Sequence, residues 1–188
     1  MIATSGEIKI KKTRSTPPIV KKSTIRNVFN YAYLNILMKN SPTYERWNKK
    51  KIKEFHKILN KQFGFQGQLD YIFLEKKDKI YISSKEIDKT SLEKLNINTI
   101  GLYFATREGS GIRLSIEGSQ VIGSECTENI LELEDPTDWL QGKDIPTTKE
   151  FKGIVLIKYK KDFLGSGIYK EHRIINCVPK SRRVRTVK

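Results

Sequence analysis

The side chains from which nucleophilic, acid–base or metal chemistry would have to be assembled are few: Cys126, Cys177, His56, His172 and carboxylate pairs such as Glu132 and Glu134. The two cysteines and two histidines are scattered, without the close spacing that a tetrahedral metal site requires, and two cysteines make no disulfide framework. No Gly-x-Ser-x-Gly elbow is present to expose a serine, and neither histidine stands at a spacing that pairs it with a nucleophile. Glu132 and Glu134 would project from one side of a strand, an arrangement common to many chains. Phosphate-cradling loops are missing too: neither GxxxxGK[ST] nor GxGxxG after a strand occurs, and Gly165-Ser166-Gly167 is too short to serve. The expectation is a protein that is not an enzyme and needs no metal or cofactor.

Positive charge is what the chain has in excess. Its 188 residues hold 36 Lys+Arg against 21 Asp+Glu, a net charge of +15 with a pI near 9.7, which points to a polyanionic partner. The excess is uneven. Residues 1–61 carry 15 Lys+Arg and 3 Glu, residues 62–150 carry 10 against 16, and residues 151–188 carry 11 against 2. A mildly acidic middle is thus flanked by two basic ends, the expected contacts to a phosphate backbone. No apolar run approaches the roughly 18–20 residues of a spanning helix, and residues 1–22 lack the apolar face of a surface-bound helix, so a membrane is not the expected partner. The charged N-terminus resembles no signal peptide, and the expected location is the cytoplasm.

The elements that must carry these charges follow from composition and period. At 37% hydrophobic and 30% charged residues, the chain supports one ordinary domain or two small ones. Residues 1–22 combine Lys9, Lys11, Lys12, Arg14, Lys21 and Lys22 with Pro17 and Pro18 and show no sustained period, as a disordered arm would. Ile25, Val28, Phe29, Ala32, Ile36 and Leu37 predict a helix capped by Ser23 or Thr24 and ended by Asn40, Ser41 and Pro42. Trp47, Ile52, Phe55, Leu59 and Phe63 predict a second, begun at Ser41-Pro42 and closed by Gly64. Its other face, with Lys49, Lys50, Lys51, Lys53, Lys57 and Lys61, suits phosphates and a solvated surface equally.

Residues 69–75 and 79–83 read as a hairpin, followed by a short helix around Ser91–Leu95. Tyr71, Phe73 and Tyr81 alternate there, with core packing the more frequent use of such aromatics and base stacking the other. A second hairpin spans Thr99–Thr106 and Ile112–Ser115 around Gly109-Ser110-Gly111. Asp135-Pro136 through Gly142 reads as one short capped helix. Residues 153–160, 163–170 and 173–180 supply three strands, with Cys177 buried inside the last. Strands around brief helices imply an α+β fold with a small, partly closed barrel.

Residues 101–123, GLYFATREGSGIRLSIEGSQVIG, and 163–183, FLGSGIYKEHRIINCVPKSRR, together resemble a PUA-like RNA-binding domain. The likeness is to the C-terminal PUA appendage of Sun-family RNA cytosine-5 methyltransferases, with its GLY-F opening, RLS-EG-Q segment, W-x-x-G stretch (here Trp139-Leu140-Gln141-Gly142) and closing N-x-VPK-x-RR. The segment before it resembles the smaller domain that often precedes PUA domains. The resemblance implies a β pseudobarrel with two short helices that binds structured RNA through backbone and shape. With the basic arm (1–22), which that appendage lacks, the expected division is completed by a helical and hairpin pre-PUA domain (23–98), the PUA-like barrel (99–180) and a basic tail (181–188). The resemblance implies RNA contacts at Arg113, Ser115, Gly118, Ser119 and Gln120, and at Lys180, Arg182 and Arg183. Gly118 leaves room for backbone to approach a phosphate or makes a simple turn, while the cationic end of the chain extends the set to Arg185.

The departure from that family is the missing catalytic part: neither the cofactor-binding α/β domain nor the Pro-Cys nucleophile occurs, so methyltransferase activity is not expected. The expectation is a ribosomal-RNA-binding protein, a ribosomal (archaeal-type) component or ribosome biogenesis factor among neighbouring ribosomal proteins. The alternative is an RNA-recruiting subunit of a separate rRNA- or tRNA-modifying enzyme.

Overall fold

The computed structural model describes residues 44–86, 100–109 and 111–185. The basic arm with Lys9, Lys11, Lys12, Arg14, Lys21 and Lys22, the helix read from Ser23 and the short helix at 91–95 lie outside the described residues.

The architecture is α+β. The first sheet is antiparallel, in the order β1 (Glu45–Arg46), β2 (Ile72–Lys76), β3 (Lys79–Ser83), β4 (Leu102–Glu108) and β5 (Gly111–Leu114). Helix α1 (Lys49–Phe63) packs on it. The helix begins later than Ser41-Pro42, because the Asn48 side chain accepts the Lys51 N–H at 2.9 Å and so satisfies an orphan donor at that point. It ends as expected at Gly64, whose φ of 63° is the left-handed cap. Phe55, Leu59 and Phe63 meet Phe73, Ile80, Phe104 and Ile112 in a dry core. Phe73 lies 5.2 Å from Trp47 in a near-parallel stack, so its ring is spent on packing and not on a base.

Beneath Trp47 sits a buried carboxylate. Glu75 accepts from Trp47 Nε1 at 2.8 Å and from Arg107 Nε at 2.7 Å, and pairs with Lys51 Nζ at 2.6 Å. Burial alone would raise its pKa, but these three donors hold it below the ordinary carboxylate value.

From β5 the chain turns into α2 (Ile116–Ile122), capped by Ser115. It continues through β6 (Ile130–Glu132), α3 (Thr137–Gln141), β7 (Ile145–Pro146), β8 (Ile154–Tyr159), β9 (Asp162–Lys170) and β10 (Arg173–Ile175). These strands form a curled mixed half-barrel in the order β6-β8-β9-β10-β7, parallel only at β6–β8. Only Glu132 of the carboxylate pair lies in β6, where Lys158 Nζ binds it at 3.2 Å; Glu134 falls beyond the strand. The core of the first sheet runs on into Ile154, Leu156 and Phe163, while Trp139, Val155, Ile157 and Ile174 form a second cluster. The β3–β4 ladder spans the line between residues 98 and 99, joining strands from both sides of it in one sheet.

The last predicted strand is shorter than 173–180. It stops at Ile175 because the Asn176 carbonyl oxygen of the side chain captures the Val178 N–H at 2.8 Å, turning the backbone out of the ladder. Cys177 is therefore in the loop, half-buried.

Candidate nucleic-acid interface

Ser115 fixes the start of α2 from both sides: its hydroxyl donates to the Tyr103 carbonyl at 2.7 Å and accepts the Gly118 N–H at 2.8 Å. Gly118 is buried, and a Cβ there would overlap the Phe104 carbonyl oxygen, so the missing side chain lets helix meet strand and offers no approach to a phosphate. Ser119 is also buried. Its hydroxyl donates to Ile116 O at 2.7 Å and accepts the Gly165 N–H at 2.9 Å, tying α2 to β9. Of the RLSIEGSQ segment, Arg113 and Ser115 are half-buried and Gln120 is exposed.

The closing segment is stapled to α3. Asn176 Nδ2 donates to Trp139 O at 2.8 Å and to Lys143 O at 3.1 Å, and the Asn176 N–H binds Asp144 Oδ1 at 2.9 Å. Trp139 itself is fully buried and donates to Leu164 O at 2.9 Å. Arg183 donates from Nε to Val178 O at 3.0 Å, with its guanidinium over Gly142. The W-x-x-G and N-x-VPK-x-RR residues are thus partners of one another.

Between the RLSIEGSQ segment and the closing segment lies a cavity of about 280 Å3. Arg113 and Ser115 line one side, Cys177 and Arg182 the other, with Leu102 at 43% exposure among its apolar lining. The structure therefore brings together residues 69 positions apart that sequence reasoning named separately, and adds Leu102, Tyr103 and Cys177, which it did not count among the RNA contacts. Nothing in a single sequence marks Leu102 as exposed. Cys177 was hidden by the expectation that its strand continued.

Each arginine at the cavity has a carboxylate. Arg113 Nε binds Glu108 at 2.7 Å, and Arg182 binds Glu117. Burial works to lower the Arg113 pKa, but the Glu108 hydrogen bond and the charges of Cys177, Glu108 and Tyr103 together outweigh it and raise the pKa above its ordinary value, so the guanidinium stays charged. The Arg182–Glu117 pair is solvent-accessible, worth about 0–1 kcal/mol, and so can open for a competing phosphate. Lys180 and Arg185, in the same closing segment, are exposed. Lys49, Lys50 and Lys53 are exposed on α1 and do not line this cavity.

The thiols are poor nucleophiles. Burial pushes Cys126 up to about 12, and burial also raises Cys177, with Arg113 only partly offsetting it. His56 Nε2 lies 2.7 Å from Gly67 O, and His172 faces Glu150 at the surface. Among the described residues, no group of three or more His, Cys, Asp or Glu side chains is placed to hold a metal, and no helix is long and apolar enough to cross a membrane.

Comparison with curated proteins returns no matching relative. The scan against family models matches the Methyltransferase RsmF PUA domain at residues 128–184. That span takes in β6 to β10, α3 and the Asn176–Arg183 segment, whereas the RLSIEGSQ segment lies before it. No methyltransferase catalytic domain is matched with it. Residues 128–184, which supply the Cys177 and Arg182 wall of the cavity, thus match the PUA domain of methyltransferase RsmF.

Proposed function

We propose that this chain is a non-catalytic RNA-binding protein that recognises ribosomal RNA, as a ribosomal component or a factor acting during ribosome assembly. PUA domains are generally RNA-binding, and the observation that carries the reading is the cavity edged by Arg113 and Arg182, of which the matched residues 128–184 supply the Cys177 and Arg182 wall. The exposed Lys180 and Arg185 of the same closing segment add positive charge, and the Glu117 pairing keeps Arg182 positioned without a large cost to releasing it. Binding then rests on phosphate contacts and shape, and weakens steeply with salt. The basic ends of the sequence add further phosphate contacts, including Lys9 to Lys22 and Arg185. The raised thiol pKa values and the separated histidines favour a role without covalent chemistry.

A second reading has its own observation. The matching family model is that of a methyltransferase's PUA domain, which favours a subunit that recruits RNA for a separate modifying enzyme. Sedimentation of lysate on sucrose gradients at low and high salt separates the two. Salt-resistant co-migration with a mature subunit is the result expected of a ribosomal protein, and confinement to precursor particles that of an assembly factor. A position at the top of the gradient at both salts would overturn the ribosomal reading and leave the recruiting subunit.

A further inference from the structure

Away from the cavity beside the matched PUA residues, α1 and the segment 69–71 that leads into β2 enclose an open groove of about 540 Å3. Its floor is apolar and aromatic: Ile52 and Leu69 pack against the main core, and the half-buried Tyr71 lies beside them. His56 completes the floor, held in place by its 2.7 Å contact to Gly67 O and by packing 5.2 Å from the Phe65 ring. The rim is cationic. Lys49, Lys53 and Lys57 follow one another at intervals of four residues, which on a helix places successive ammonium groups on one stripe about 6 Å apart along the axis. All three are exposed, and none has an ion-pair partner among the described residues. Across the groove Lys85 is paired with Asp70, the one carboxylate in the lining.

We propose that this groove binds single-stranded RNA, with the phosphates running along the Lys49–Lys53–Lys57 stripe and a base stacked on Tyr71. Two features favour a nucleic-acid strand over an acidic peptide. The cations repeat in one line at a spacing suited to an extended backbone, and the floor beneath them offers an aromatic face, the pairing that single-strand sites use. A duplex does not fit: its bases are stacked on each other and leave no ring to enter an apolar floor. Of the aromatics that the sequence made candidates for stacking, Phe73 is in the core, while Tyr71 is left half-buried at the groove. The site rests on the RNA-binding reading for its ligand class, but shares none of the PUA cavity's residues.

Fluorescence anisotropy with a labelled eight-nucleotide oligouridylate, titrated with the full chain at several salt concentrations, tests it. Lys49→Gln/Lys53→Gln/Lys57→Gln is expected to flatten the slope of log affinity against log salt by about 2, at roughly 0.7 per phosphate contact. Tyr71→Ala is expected to weaken binding about tenfold, with Tyr71→Phe retaining it. Circular dichroism melts check that the variants fold, and the lysine variant, changed only at exposed positions, keeps the test valid if Tyr71→Ala does not. An unchanged salt slope in the triple variant overturns the proposal. So does a blunt duplex of equal length that binds as tightly, or poly-glutamate that displaces the strand at equal charge, which would assign the groove to an acidic polypeptide. Structured ribosomal RNA and Arg182→Ala are run alongside. Loss of affinity there, with no effect of the lysine variant on the oligonucleotide, removes the groove and leaves the PUA reading standing; no RNA binding of either kind removes both.

Discussion

Arg183 lies with its guanidinium over Gly142, while its Nε donates to Val178 O at 3.0 Å. Gly142 caps α3 at a φ of 89°, a conformation costly for residues with a Cβ, and a Cβ there would overlap the arginine. The side chain at 183 is therefore part of the clasp between α3 and the end of the chain. Arg182, one residue earlier, projects into solvent at 54% side-chain exposure and borders the cavity.

The adjacent arginines should consequently separate in experiment, although the family resemblance treats them alike as RNA contacts. Arg183→Ala is expected to cost about 1–2 kcal/mol through the lost charged hydrogen bond, lowering the melting temperature by several degrees. Arg182→Ala is expected to leave the melt unchanged and to reduce the salt slope of structured-RNA binding by about 1. Equal melting temperatures for the two variants would return Arg183 to the RNA face.

Gly118 offers a sharper packing test. Because the atom that a Cβ would overlap is main chain, the Phe104 carbonyl oxygen, relief requires moving a helix against a strand. Gly118→Ala is expected to destabilise by about 1–3 kcal/mol, measured by urea unfolding, while an exposed neighbour, Gln120→Ala, changes stability by less than about 0.5 kcal/mol. A neutral Gly118→Ala would free that position for a ligand.

How far these contacts were legible differs by residue. The cap glycines and the hairpin turn follow from local chemistry, since apolar period and turn residues act over a few positions. The pairing of Asn176 with Trp139 O, 37 residues apart, does not, because a side-chain amide has no period and its partner is a backbone atom. The start of α1 was missed for a related reason. Ser41-Pro42 is the better start signal on paper, but Asn48 makes the actual cap bond, and Trp47 must leave the helix to stack on Phe73. At the cavity, Arg113 and Arg182 were named from motifs, while their proximity depends on β9 and α2 being tied by Ser119.

Glu75 gives the first sheet a pH dependence. Its folded pKa lies below the ordinary value of 4.5 through Lys51, Arg107 and Trp47, against a burial effect that acts in the other direction. A lowered carboxylate contributes stability that is present above the unfolded pKa and lost as pH falls through the folded one. Urea unfolding is expected to show stability falling below about pH 4.5, and the gap between the native chain and Glu75→Gln to shrink over that same range. A gap independent of pH would mean that Trp47 packing, and not the carboxylate charge, is what the substitution disturbs.

Cys177 reports on the cavity directly. The thiol lines it, half-buried, whereas Cys126 is buried in the main core with its pKa pushed up to about 12. A thiol reagent should therefore modify one equivalent in the native protein, at Cys177, and Cys126 only on unfolding. Because burial also raises Cys177, the reaction is expected to be slow near neutral pH and to accelerate as pH rises. Structured RNA seated against Arg113 and Arg182 would cover this thiol, so saturating RNA is expected to slow its modification severalfold, and the protection to fade with added salt. Labelling rates that stay the same with and without bound RNA would move the RNA away from the cavity, and the argument for Arg182 as its contact would go with it.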